Sequence, residues 1–514
     1  MTNDNIVQKL WNLCDVLRDD GINYSDYVTE LVLLLFLKMV HENTEAETLD
    51  KHTLPEGCRW TDLNSKSGLN LLNHYKQMLL DLSKDSDPLI SAIYADAQTR
   101  LREPRHLEQL VKSLDQIKDW FSDEKDGLGN LYEGLLQKNA NETKSGAGQY
   151  FTPRALIDSM VRCIQPQPGE VIQDPAAGTA GFLIAADRYM KDKFDDYFDL
   201  DAKQQTFQKN KAFIGVELVP STRRLALMNC LLHGMEGDDE GVVHLGNALG
   251  QVGASLEKAD IILANPPFGT SKGGEASITR DDLTYPTSNK QLAFLQHIYR
   301  NIKPGGRAAV VLPDNVLFES GVGTDIRRDL MNKCNLHTIL RLPTGIFYAA
   351  GVKTNVLFFT KGSAKDKLQE ENCTKNVWVY DLRNGDMPSF GKRTPFNDTH
   401  LKPFEKVYGE NSNGQSERTN GEWSFSAEQV ETSLSDENKG IDDKLAHSRW
   451  RCFSREWIAE HKDDSLDISW LKDKGSVDAA DLPEPSVLAK EAKQELSKAL
   501  TELDKLLLEL GGEA

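Results

Sequence analysis

Between residues 146 and 405, short runs rich in β-branched and apolar residues alternate with amphipathic stretches of helical spacing. The apolar runs fall at 170–173, 212–218, 242–245, 260–264, 307–312, 336–342 and 355–360. The helical stretches between them fall at 181–194, 221–233, 290–302 and 325–334, several of them closed by proline or glycine. Strand and helix in strict alternation bury their apolar faces as a mostly parallel sheet covered by helices on both sides. The expected fold class is therefore α/β, a doubly wound, Rossmann-like sheet whose ligand crevice lies at the carboxyl ends of its strands.

The flanking regions read differently. Residues 1–145 carry apolar side chains at helical spacing, Ile6, Leu10, Leu13, Val16 and Leu17, then Leu31, Leu34, Leu35 and Leu37, which predicts a helical N-terminal domain. Beyond Trp450, Trp457 and Trp470, residues Pro483 and Pro485 announce a helical C-terminal tail in which Leu496, Leu500, Leu503, Leu507 and Leu510 step by four and three. Such a stripe packs on another helix, either of a partner or of its own domain. The expected domains are a helical unit at 1–145, a catalytic unit at 146–405 and a C-terminal region with a partner-binding helix at 406–514. Loops 269–289 and 409–444 are polar or glycine-rich and are expected to be mobile.

A chain of 514 residues exceeds one ordinary domain, so two to four folding units are expected. Its longest apolar run, 31–37, falls far short of the roughly 20 residues that span a bilayer. The start, Met-Thr-Asn-Asp-Asn, lacks the features of a secretory signal, and the seven cysteines are odd in number, scattered and never in CxxC spacing. A cytoplasmic protein with no membrane segment and no cysteine-ligated metal is expected. Lys and Arg number 60 against 79 Asp and Glu, a formal charge of -19, which is the wrong sign for gripping phosphates over the whole surface. If DNA is the substrate, a partner supplies much of the grip; the plainer reading is that the charge only keeps the chain soluble. The sequence holds no internal repeat and no GxxxxGK[ST] phosphate loop.

The strongest chemical signal is Asn265-Pro266-Pro267-Phe268, directly after the apolar run 260–264. An exocyclic amino nitrogen is a poor nucleophile because its lone pair is delocalised into the base. The Asn265 amide oxygen and the Pro266 carbonyl can accept its two N–H bonds, draw the nitrogen toward tetrahedral geometry and aim the lone pair at a methyl donor. Pro266 and Pro267 fix φ and stiffen the backbone, and Phe268 offers a face on which a flipped base stacks. The bland alternative is a turn after a strand; a second functional one is the same tetrapeptide acting on RNA or on a protein glutamine.

The donor side is read at Asp174-Pro-Ala-Ala-Gly178-Thr179-Ala180-Gly181, between the first strand and its helix. Gly178 and Gly181 let the backbone approach a ligand, and the amides opening the helix favour an anionic end such as a methionine carboxylate. Glu217 ends the next strand, where a carboxylate can accept both ribose hydroxyls, and Asn247 follows the third, where an amide can meet the adenine edge of the cofactor. For Glu217 the plain alternative is a surface acid at a strand end.

The order of these motifs, with Gly148-Gln149-Tyr150-Phe151-Thr152-Pro153-Arg154 upstream, resembles the motif X, motif I, motif IV order of gamma-class amino-methyltransferases. The longer blocks at 132–148, 223–230, 340–348 and 351–359 are similar to those of type I restriction-modification methyltransferase (M) subunits, HsdM, of the EcoKI-like subclass, nearly end to end. The resemblance implies an S-adenosylmethionine-dependent, site-specific DNA N6-adenine methyltransferase that protects host DNA from restriction. It further implies that Gln149 to Arg154 cover the cofactor, that Glu217 holds its ribose, and that Asn265 to Phe268 grip a flipped adenine. Phe347 or Tyr348 is a candidate for a second stacking ring. The implied partners are double-stranded DNA, a specificity (S) subunit that reads the sequence, a second M subunit and restriction (R) subunits. Members of the family also favour DNA already methylated on one strand, a preference these residues do not reveal.

No metal is required, because the sulfonium is already an activated donor, so His233, His244 and His297 are read as structural or surface residues. Two alternatives from other classes remain at this stage: an RNA or protein-glutamine methyltransferase sharing the tetrapeptide, and a non-enzymatic scaffold that positions a partner on DNA.

Overall fold

Among the described residues of the computed structural model one sheet of nine strands is found, and all seven expected apolar runs contribute strands to it. The structure describes residues 3–22, 27–45, 53–117, 134–135, 152–268, 278–347, 353–363, 372–383, 390, 394–419, 448–470 and 493. The strands are β1 (Ile172–Asp174), β2 (Phe213–Glu217), β3 (Val243–Leu245), β4 (Ala259–Ala264), β5 (Ile302–Pro313), β6 (Cys334–Leu342), β7 (Thr354–Lys361), β8 (Asn376–Asp381) and β9 (Trp450–Ser454). Their spatial order is β3-β2-β1-β4-β5-β7-β6-β8-β9. Strands β1 to β5 are mutually parallel, β7 runs antiparallel between β5 and β6, β8 returns parallel to β6, and β9 closes the edge antiparallel to β8.

The double winding is visible in how neighbouring side chains divide between two cores. Ile261 and Leu263 of β4, with Ala309 and Val311 of β5, join the core that includes helices Arg154–Ile164, Gly181–Lys193 and Pro220–Leu232. Ile262 and Ala264, with Val310 and Leu312, join the core built with helices Lys290–Asn301 and Val322–Lys333. A period of two with both faces apolar is what a sheet sandwiched between helix layers needs.

Residues β8 and β9 were not among the expected strands, and β9 lies past 405, the expected end of the catalytic region. Backbone pairing from Asn376↔Ser454 to Tyr380↔Trp450 fastens this distant segment to the sheet, and Trp450 is wholly buried, stacked on Trp378 with ring centroids 5.0 Å apart. The expected helix 290–302 ends one residue earlier, since Ile302 already belongs to β5.

Upstream of residue 118 the described elements are helices: Asn3–Asn12, Cys14–Asp19, Tyr27–Glu45, Trp60–Asn64, Gly68–Leu82, Pro88–Tyr94 and Pro104–Asp115. The apolar run 31–37 lies inside Tyr27–Glu45 with every side chain at 0% exposure, a helix enclosed on all faces rather than amphipathic. Lys38 within it is tolerated because its ammonium pairs with Glu42 at 2.7 Å and Asp115 at 3.1 Å. Arg224, on helix Pro220–Leu232, donates through Nε to Ile93 O at 2.7 Å and through Nη2 to Ala95 O at 2.5 Å, so a catalytic-region helix carries the end of an N-terminal one. Among the described residues, no helix is long and apolar enough to cross a membrane.

The chain divides into two compact units, residues 1–383 with 387–471, and residues 384–386 with 472–514; only Lys493 of the second is described. The leucine-striped tail at 496–510 with Pro483 and Pro485, loop segments 269–277 and 420–444, Gln149 to Phe151, and Tyr348 lie outside the described residues.

Candidate active site

Because β1 to β5 are parallel, their carboxyl ends share one edge of the sheet, and Asp174, Glu217 and Ala264 are the terminal residues of β1, β2 and β4. Asp174 is 1% exposed and its Oδ1 accepts the Ala176 backbone N–H at 2.9 Å. Burial pushes this carboxyl up to about 8, and the nearby charge of Glu217 adds to the shift.

The following turn is shaped by residues in the left-handed region. Gly178 has φ +54° and nothing lies within 4 Å of where a Cβ would sit, so the backbone there borders open space. Its N–H donates to Glu217 Oε2 at 3.0 Å, while Glu217 Oε1 accepts from Val219 N at 2.8 Å. Burial also raises the Glu217 carboxyl. Ala180 takes φ 68° and caps the helix Gly181–Lys193, whose opening amides point out of the turn. Thr179 is tied down through its carbonyl, which accepts Asn229 Nδ2 at 3.0 Å. Gly181 serves packing: a Cβ there would meet Ile157 Cδ1 at 3.2 Å, so its size admits helix Arg154–Ile164. Asn247, just past β3, accepts the Leu249 N–H on Oδ1 at 2.9 Å, closing its own turn.

The next strand over, β4, delivers Asn265 to Phe268 to the same edge. Asn265 Nδ2 donates to Thr152 Oγ1 at 2.8 Å, joining two segments far apart in sequence. Because the nitrogen is the atom so held, the amide's other branch is the acceptor oxygen. Pro266 is buried, whereas Pro267 is exposed and its carbonyl accepts Gln291 Nε2 at 3.0 Å from helix Lys290–Asn301. The Phe268 ring is half-buried and meets Phe347 edge-on, centroids 5.7 Å apart at 89°. Phe347, 2% exposed, lies between β6 and β7. Of the cover segment, Thr152 is buried and Pro153 caps the helix that begins at Arg154.

The three histidines stand in ordinary packing roles. His233 is buried with Nδ1 2.8 Å from Asn229 O, His244 lies 3.6 Å from Asp238, and His297 is enclosed with Nδ1 2.9 Å from Arg280 Nη1. Burial, then the Arg280 charge, push His297 down to about 3.

A glycine turn with an open backbone face, a carboxylate at the second strand end and an amide followed by prolines at the fourth share one edge of the sheet, an arrangement that can serve group transfer to a nucleobase amine. Known proteins agree with this reading. The family model for N-6 DNA methylase matches residues 123–452, that for the HsdM N-terminal domain matches 6–114, and that for the C-terminal domain of type I restriction enzyme methylase subunits matches 482–514. The type I restriction enzyme EcoKI methylase subunit of Escherichia coli K12 is 60% identical over 99% of this chain and 96% of its own.

The chain belongs to the type I restriction enzyme methylase subunits.

The StySPI methylase subunit of Salmonella potsdam is 59% identical over 99% of this chain and 96% of its own. The crystal structure of the EcoKI M protein is similar at 56% identity and a TM-score of 0.60, covering 99% of this chain and 97% of that one. A chain from a type I restriction-modification assembly shares the fold at 24% identity and a TM-score of 0.69, with full coverage of both. This methylase subunit is accordingly an N6-adenine DNA methyltransferase of a restriction-modification system, on the α/β fold its strand pattern announced. The RNA, protein-glutamine and scaffold alternatives give way to it.

Several residues of the site escaped the sequence reading. Asn229 and Gln291 are each one polar residue among several in their helices, and it is their burial and hydrogen bonds in the fold that set them apart. Thr152, a residue of the expected cover segment, also accepts the Asn265 side-chain N–H, a contact its sequence position does not announce.

Proposed function

We propose that this subunit uses S-adenosylmethionine as donor and that Asn265, Pro266 and Phe268 hold a flipped adenine opposite it. The observation that carries the reading is the Asn265 Nδ2 bond to Thr152 Oγ1, which orients the amide on the edge where Gly178 and Glu217 stand. The residues fit the cofactor: the open face at Gly178 leaves room for a ligand against the backbone, and the Glu217 carboxylate, which accepts from the backbone at Gly178, Val219 and Leu218, keeps lone pairs for hydroxyl donors.

When bound, S-adenosylmethionine supplies an activated methyl group on a sulfonium. Glu217 orients the donor through its ribose, and the amides at Gly178 to Gly181 face its carboxylate end. Thr152, Pro153 and Arg154, continuing Gln149 to Phe151, cover it, and Asn247 meets its adenine edge. Asn265 Oδ1 and Pro266 O accept the two N–H bonds of the target amine, so the nitrogen lone pair turns out of conjugation and toward the donor. Phe268 stacks on the extruded base, and Phe347 supports that ring.

For the whole assembly, the reading assigns sequence recognition to an S subunit, with a second M subunit, R subunits and double-stranded DNA as further partners. The acidic charge of -19 supports it, since the chain itself offers little general grip on phosphate. Among the described residues, the helices up to Asp115 make the helical unit and β1 to β9 the catalytic sheet, and partner binding is assigned to the region 406–514. Co-expression with the protein encoded beside it, followed by sequencing of plasmid DNA for N6-methyladenine, tests this. New methylated adenines at one defined sequence support the reading; an unmodified plasmid with every neighbouring specificity subunit overturns it.

A further inference from the structure

The loop that joins β6 to β7 carries Phe347 to the target pocket, and a single guanidinium grips both ends of it. Arg383 follows β8, the parallel neighbour of β6. Its Nε donates to Leu342 O, the last residue of β6, at 3.0 Å, and its Nη2 donates to Thr354 O, the first of β7, at 2.7 Å. The same group holds Asp314, where β5 ends, through Nη1 to Oδ2 at 2.8 Å and Nη2 to Oδ1 at 2.5 Å. Asn355 completes the knot, donating to Asp314 Oδ1 at 2.9 Å, while Asp314 N donates to Lys353 O at 3.0 Å. The Arg383 side chain is 6% exposed, so the fork is fixed by its surroundings rather than splayed into water.

From Leu342 the described loop is packed rather than slack. Pro343, Ile346 and Phe347 are buried, and Gly345 takes φ +88° with its Cβ position only 2.2 Å from Phe390 O, a place for glycine alone. Movement of the loop stems is therefore transmitted to the Phe347 ring and, edge to face, to Phe268.

We infer that Arg383 is a positioning residue for methyl transfer: by pinning the carbonyls of Leu342 and Thr354 against Asp314, it sets where Phe347 braces Phe268 over the target base. The inference rests on the proposed acceptor pocket. Lysine cannot replace it, because one ammonium lacks the planar fork that reaches two carbonyls and a carboxylate together.

The test compares R383A, F347A and the double variant, each in complex with the specificity subunit, for transfer of tritiated methyl to duplex DNA and for S-adenosylmethionine affinity. A displacement of about 1 Å at a reacting group costs on the order of 10²-fold in rate, and R383A is expected to lose 10- to 100-fold while cofactor affinity stays within about twofold. Since Arg383 acts through Phe347, the double variant is expected to be no slower than F347A. With 2-aminopurine at the target position, R383A and F347A are expected to give the same emission change on binding. Multiplying losses in the double variant, a parallel fall in cofactor affinity, or wild-type transfer by R383A each overturn the inference. Should R383A not fold, R383K in the same comparison decides the matter. The unsubstituted complex separates the two levels: no methyl on adenine there overturns the proposed pocket, whereas normal transfer there with R383A unchanged overturns only the clamp.

Discussion

Thr152 Oγ1 accepts the Asn265 side-chain N–H at 2.8 Å, so a residue two positions ahead of a catalytic-region helix fixes the amide that follows β4. Thr152→Val removes the acceptor while keeping the shape, and the amide loses the bond that selects its orientation. A neutral hydrogen bond contributes about 1 kcal/mol, and methylation is expected to fall roughly fivefold, with Thr152→Ser near normal. Steady-state methyl transfer on both variants checks this; equal rates for valine and threonine contradict it.

Phe268 presents its ring beside Phe347. Phe268→Gly removes base stacking of about 1 to 3 kcal/mol and is expected to lower methylation by roughly 5- to 150-fold. Cofactor affinity, measured by calorimetry, is expected to be near normal. A variant with unchanged transfer places the flipped base elsewhere.

Gly178 tells the opposite story, because the proposed function sets it against the donor. At φ +54° its Cβ position is open, so Gly178→Asp puts a carboxylate where the ligand would pass, beside the Glu217 oxygen that the Gly178 N–H now engages. Loss of cofactor affinity of at least about tenfold is expected, equivalent to 1.4 kcal/mol. Photo-crosslinking of labelled cofactor at wild-type strength would remove Gly178 from the donor site.

Asp174 gives a pH signature. Its carboxyl is raised from the ordinary 3.8 to about 8, chiefly by burial, so the fold holds the proton more tightly than the unfolded chain does. The stability so gained is complete below the unfolded value and is lost as pH rises through the folded one. Asp174→Asn keeps an acceptor for Ala176 N and never ionises. Melting temperatures of the two cofactor-free chains are expected to agree near pH 4 and to diverge in favour of the variant up to about pH 8. A difference independent of pH would mean that burial is not what shifts this group.

Local periodicity carried the fold as far as local periodicity reaches. The run 261–264, Ile-Ile-Leu-Ala, is apolar on both faces, which marks a buried strand before any pairing is known. The insertion of β7 between β5 and β6 was not legible, because strand order is decided by packing between segments rather than by the letters of any one. Strand β9 was missed for a related reason: WRCFS is short and half polar, and becomes a strand through Trp450 and its pairing with β8. The placement of Asn265, Glu217 and Asp174 at one edge was legible, because each ends or directly follows a strand of the parallel set. The bond of Thr152 to Asn265, and the contacts of Asn229 and Arg383, were not, since each reaches a backbone or side-chain atom more than 20 residues away and leaves no spacing behind.

The most direct measurement is the structure of this subunit with its specificity partner, a target duplex and a non-reactive analogue of S-adenosylmethionine. The amine nitrogen of one extruded adenine is expected within about 3 Å of both Asn265 Oδ1 and Pro266 O, facing the donor. An adenine left in the helix with the analogue bound, or those two oxygens directed away from it, would contradict the clamp on which the chemistry depends.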